Sequence, residues 1–75
     1  MQQNPKRTPR GKGIPMPGLR QTRYRRGLSI RDLSEKSGVK NTTISELENE
    51  RRGAQARTLR SLAKALGVEP EELVG

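Results

Sequence analysis

At 75 residues the chain has room for one small domain with a modest core. It contains neither cysteine nor histidine, which excludes a disulfide framework, a thiolate metal site and the commonest general base. The net charge of +8 is carried by the first third: residues 1–26 hold eight Lys or Arg and no acid, and the other 49 hold eight basic and eight acidic residues.

A basic arm ahead of a neutral globule suits a polyanion such as DNA, although solubilising tails share this composition. No nucleophile–base pair or metal constellation is visible, so neither an enzyme nor a cofactor is expected. The apolar runs are too short to span a membrane. The basic N-terminus lacks the apolar core of a secretory signal, so the expected location is the cytoplasm.

In chain order, residues 1–18 carry Pro5, Pro9, Pro15 and Pro17 with Gly11, Gly13 and Gly18, a mixture that forbids regular helix and strand. The stretch reads as a disordered or extended basic arm. Lys6, Arg7, Arg10 and Lys12 are its candidate DNA contacts, tracking phosphates or a minor groove. Ile14 and Met16 are expected to dock lightly on the globule, which spans 19–75. Leu19 to Arg26 reads as a first helix stopped by Gly27. Tyr24, the sole aromatic, suits a packing or edge position, and the shortage of aromatics weakens an RNA reading.

Ile30 to Asn49 carries the organising pattern. Apolar residues at Ile30, Leu33, Val39, Ile44 and Leu47 combine with a small residue, Ser34, and a glycine, Gly38. Two short helices joined by a tight turn cross steeply, so the first needs a small side chain at the crossing and the turn needs a residue tolerant of positive φ. Ser29, with Asp32 three residues later, reads as a capping box for the helix from Ile30 to Ser37.

The helix from about 41 to 49 has two unlike sides. At about 100° per residue, Asn41, Thr42, Ser45, Glu46 and Asn49 share one face, while Ile44 and Leu47 turn away from it and Glu48 lies at the edge. A face of amides, hydroxyls and one carboxylate suits the donors and acceptors of a major groove. Asn41, Thr42, Ser45 and Glu46 are therefore candidate base contacts. Ser29, Arg31, Lys40, Arg51 and Arg52 are candidate phosphate contacts, with a cap or a solvated loop as the plain alternative. Lys40 stands where a helix cap belongs but has no acceptor, so Asn41 is expected either to cap or to reach a base. Arg57 to Leu66 then forms a fourth helix whose Leu59, Leu62, Ala63 and Leu66 make one buried stripe. Gly67 ends it, and Pro70 starts a short last turn that buries Leu73.

From Leu19 to Leu73 the sequence resembles the phage repressor and Cro family, also called the Xre family. The resemblance is carried by Leu19, Arg23, Gly27-Leu28-Ser29, Leu33, Gly38-Val39, Ile44-Ser45, Glu48, Leu59, Leu62 to Val68 and Leu73. It implies an all-α fold, a compact five-helix domain that binds operator DNA, usually as a symmetric dimer. It also implies an ion pair between Arg23 and Glu48 that ties the first helix to the third, making Arg23 structural. Three departures stand out. Ile30 replaces a frequent glutamine, Thr22 an apolar residue and Glu50 a frequent glycine, so that the third helix is free to run on.

The leading expectation is a sequence-specific, double-stranded DNA-binding regulator of transcription with half-sites about one turn, roughly 34 Å, apart. Its partners are operator DNA and a second copy of the chain on that DNA. Small regulators of this look occur in phages, plasmids, restriction-modification operons and toxin–antitoxin pairs. The alternatives are an antitoxin-like or bridging module whose main partner is a protein, and a charge-driven architectural or RNA-binding protein.

Overall fold

The computed structural model describes residues 13–74 and holds five helices: α1 (Leu19–Arg25), α2 (Ile30–Ser37), α3 (Asn41–Glu48), α4 (Ala56–Leu66) and α5 (Pro70–Val74). The expected all-α, five-helix arrangement is present. α2 crosses α3 and lies against α4, while α1 bridges α3 and α5.

The start of α2 follows from its cap. The Asp32 N–H donates to Ser29 Oγ at 2.9 Å and the Ser29 N–H donates to Asp32 Oδ2 at 3.1 Å, which completes the capping box. At the other end Gly38 takes φ +77° and its N–H closes on the Ser34 carbonyl at 2.8 Å. That left-handed residue turns the chain between the two helices at little steric cost.

α1, α3 and α4 all end with the same pair of backbone bonds. Gly27 and Leu28 donate to the carbonyls of Tyr24 and Arg23, Glu50 and Arg51 to those of Leu47 and Glu46, and Gly67 and Val68 to those of Lys64 and Ala63. This Schellman geometry needs a left-handed residue at its turn. α1 and α4 have glycine there, but α3 has Glu50 at φ +58°. The sequence allowed α3 to run on at Glu50; instead it stops at Glu48, because the carbonyls of its last turn are satisfied by the chain folding back.

The core combines Leu19, Leu33, Ile44, Leu47, Leu59, Leu62, Ala63, Leu66 and Leu73 with two residues from irregular chain, Met16 and Ala54. Met16 is 1% exposed, so it is a core member and not the lightly docked residue expected. The stretch 13–18, expected as the last part of the arm, is folded against the globule. Ile14 and Ala54 exchange backbone hydrogen bonds at 2.8 and 3.0 Å. The approach is so close that a Cβ on Gly13 would lie 2.5 Å from the Gly53 carbonyl carbon. Glycine at both positions is what lets the two backbones meet. Lys6, Arg7, Arg10 and Lys12 lie outside the described residues. No helix among the described residues is long and apolar enough to cross a membrane.

Candidate nucleic-acid interface

Helix α3 is fixed from within and bare without. Ile44 and Leu47 are fully buried, whereas Asn41, Thr42 and Asn49 are exposed and Ser45 and Glu46 half-buried. Burying two aliphatic side chains at about 1.5–3 kcal/mol each sets the rotation of the helix, and the outward face follows from that rotation. Lys40 occupies the cap position with no side-chain cap bond, and Asn41 is the first helical residue. Of the two roles left open for Asn41, capping is ruled out: its amide stands on the helix, one residue past the position from which a side chain reaches the first turn.

Arg23 sets the tilt of α3 against α1. Its Nε donates to Glu48 Oε2 at 2.6 Å, its Nη2 to Glu48 Oε1 at 2.9 Å and its Nη1 to the Leu28 carbonyl at 2.9 Å. Arg23 is 7% and Glu48 8% exposed. A two-pronged pair of this kind fixes orientation as well as distance. The bond to Glu48 lifts the Arg23 guanidinium further above its ordinary pKa, against the opposing effect of burial. Tyr24 is 64% exposed, and its ring lies 4.8 Å from the Arg23 guanidinium carbon, a cation–π contact that shields one side of the pair.

The expected phosphate contacts lie at the ends of α2 and α3. Ser29 and Arg31 stand at the exposed start of α2, Lys40 at the start of α3, and Arg51 and Arg52 just past its end. Two of them already have carboxylate neighbours. Arg31 lies 3.8 Å from Glu35 across one helical turn, with both side chains largely in solvent. Arg52 Nη1 donates to Glu46 Oε1 at 3.3 Å, so a candidate phosphate contact is paired with a candidate base contact. The Asp32 carboxyl is held below the usual carboxylate range, chiefly by the Ser29 backbone N–H and then by its hydroxyl.

The side-chain bonds of two residues in this region, Arg20 and Asn49, escape a reading by periodicity. Arg20 Nε reaches Glu48 Oε1 at 3.3 Å, and its Nη2 donates to Asn49 Oδ1 at 2.8 Å. The Asn49 amide nitrogen in turn donates to the Ser45 carbonyl at 2.8 Å. Because arginine only donates, the Asn49 oxygen must face Arg20, and the amide orientation is thereby set. Spacing held a partial signal: Arg20 and Arg23 are three apart on one helix, so both can reach the same carboxylate.

A family model described as Helix-turn-helix matches residues 19–73. Among curated proteins no sequence matches. Among solved structures, the chain is similar to the restriction-modification controller protein C.AhdI from Aeromonas hydrophila. Identity is 33%, the TM-score is 0.72, and the match covers 76% of this chain and 86% of that one. It is also similar to the clp gene regulator ClgR from C. glutamicum, at 33% identity and a TM-score of 0.70, over 76% of this chain and 74% of that one. The protein belongs to the helix-turn-helix family of the Xre and Cro type.

Proposed function

We infer that the protein is a DNA-binding regulator of transcription that reads double-stranded DNA with the outer face of α3. The observation that carries this reading is the contrast across that helix: Ile44 and Leu47 are sealed inside while Asn41 and Thr42 stand in solvent at its first turn. Short polar groups at that place suit the edges of bases. Asn bonds adenine in a two-pronged way, Thr and Ser take a thymine methyl or an acceptor, and Glu accepts from cytosine. Ser29, Arg31, Lys40 and Arg51 hold the flanking phosphates and fix register without choosing sequence, and Arg52 adds its charge beside them. The two similar structures are of proteins described as a restriction-modification controller and a gene regulator, which supports a regulatory role here. Two copies of the chain bind side by side on a pseudo-palindrome, with half-sites about one turn apart.

The bridge between Ile14 and Ala54 holds the chain at Ile14 against the loop that follows Arg51 and Arg52. That supports phosphate contacts by Lys6, Arg7, Arg10 and Lys12 next to the loop after α3. Selection from random oligonucleotides with the full chain tests the reading. The expected result is a two-fold motif whose inner bases change in Asn41→Ala and Thr42→Ala proteins of unaltered thermal stability. A wild-type protein that selects no motif overturns it.

A further inference from the structure

We propose that Glu46 and Arg52 act together as one reading unit for a single G·C base pair, which makes Arg52 a specificity-determining residue and not only a phosphate contact. The proposal rests on the reading of α3 as the groove-facing helix. Glu46 lies on the outer face of α3, and Arg52 Nη1 reaches back to its Oε1 at 3.3 Å. Both side chains are 47% exposed and so within reach of a ligand. Arg52 Nε also donates to the Gly53 carbonyl at 3.4 Å, and its Nη2 makes no hydrogen bond among the described residues.

The left-handed turn at Glu50 makes this possible. The two residues are six positions apart in the chain, too many for neighbours on one helix. The chain folds back after Asn49, with the Arg51 N–H on the Glu46 carbonyl at 2.9 Å, and so brings Arg52 alongside the helix it has just left. Arg51, one residue earlier, is exposed and makes no ion pair among the described residues.

A lone carboxylate is poorly suited to a groove lined by phosphates, since like charge repels it. A guanidinium bonded to it offsets that repulsion. The pair then presents one acceptor group beside one donor fork. In the major groove a G·C pair presents the complement: the cytosine N4 donor beside the guanine O6 and N7 acceptors. An A·T pair presents a donor and an acceptor too, but it sets a thymine methyl against the charged pair. Two charged groups held together are also selective in a way one is not, because the wrong base pair leaves one of them unpaired.

The test is the random-oligonucleotide selection run on wild type, Glu46→Gln, Arg52→Gln, the double variant, Arg52→Lys and Arg51→Gln. Glu46→Gln and Arg52→Gln are expected to relax the same G·C position, each by about tenfold, and the double variant to relax it no further than either single. Arg52→Lys keeps the charge but lacks the fork, and is expected to leave the position relaxed. Arg51→Gln is expected to weaken all sequences equally with the motif intact. Arg52→Gln behaving like Arg51→Gln, or the two singles relaxing different positions, overturns the unit while leaving the reading of α3 standing. A wild-type protein with no motif overturns both.

Discussion

Glu46 and Glu48 stand two residues apart on one helix, and each pairs with an arginine, yet the two pairs do different work. Glu48 points inward, where water is excluded and both oxygens are taken by Arg23. Glu46 points outward, where its partner Arg52 is half in solvent. The buried pair cannot exchange partners without leaving a charge in the core, so it holds structure. The exposed pair costs little to rearrange, so it is free to meet a ligand.

The largest expected effect breaks the buried pair. Glu48→Ala should cost about 3–5 kcal/mol because the buried Arg23 is left without its carboxylate, and Arg23→Ala should cost less because Arg20 still reaches Glu48. In a domain of this size the Glu48→Ala loss approaches the whole folding free energy, so thermal denaturation should show a lost or severely lowered transition. A fall of only a few degrees would contradict the structural role given to the pair. Next comes Gly53→Ala, which places a Cβ against the Gly13 backbone. It should cost about 1–3 kcal/mol and part Gly13 from Gly53 at the foot of the basic stretch, so the salt dependence of DNA binding should flatten, the direction also expected on removing residues 1–12.

Ser29→Ala should cost about 1 kcal/mol, measured by urea denaturation. Its pH dependence sharpens the point. Asp32 has a folded pKa below its unfolded value, so its contribution is present above the ordinary carboxylate pKa and fades as pH falls toward the folded value. Removing the Ser29 hydroxyl should shrink that loss on the acid side, because one of the bonds that favours the charged carboxylate is gone.

Glu50→Gly should stabilise the domain by about 0.5–1 kcal/mol. It relieves a left-handed side chain at φ +58° at the cost of some unfolded-state entropy. The gain should leave both glutamate pairs intact, and with them the base preference. The smallest effect is on the exposed pair: Arg52→Gln should change stability by less than about 0.5 kcal/mol while altering DNA preference. A large loss of stability there would erase the distinction between Glu46 and Glu48.

What could be read from the sequence was whatever local chemistry decides. Gly38 with Leu33, Val39, Ile44 and Leu47 announces the α2–α3 corner, the Leu59 to Leu66 stripe announces α4, and Ser29 with Asp32 announces a cap. Each signal lies within a few residues of its consequence. Met16 and Ala54 could not be read that way, because their burial depends on Gly13 meeting Gly53 across forty residues of chain. A glycine carries no side chain to advertise such a meeting. The Glu46–Arg52 pair was hidden for a related reason: a turn makes it, and Glu50 is a residue that seldom takes the conformation the turn needs. The outer face of α3 was legible as a set of residues, since helical angle alone places Asn41, Thr42, Ser45 and Glu46 together, whereas the side-chain bonds of Asn49 with Arg20 required coordinates.

The most direct test of the central claim is a backbone amide NMR titration of the full chain with duplex carrying the selected motif. The account predicts that shifts concentrate at Asn41 to Glu46, at the start of α2 and at Arg51 and Arg52, while the buried stripe of α4 stays still. Shifts confined to α1, α5 and the far side of α4, with the outer face of α3 unmoved, would contradict it.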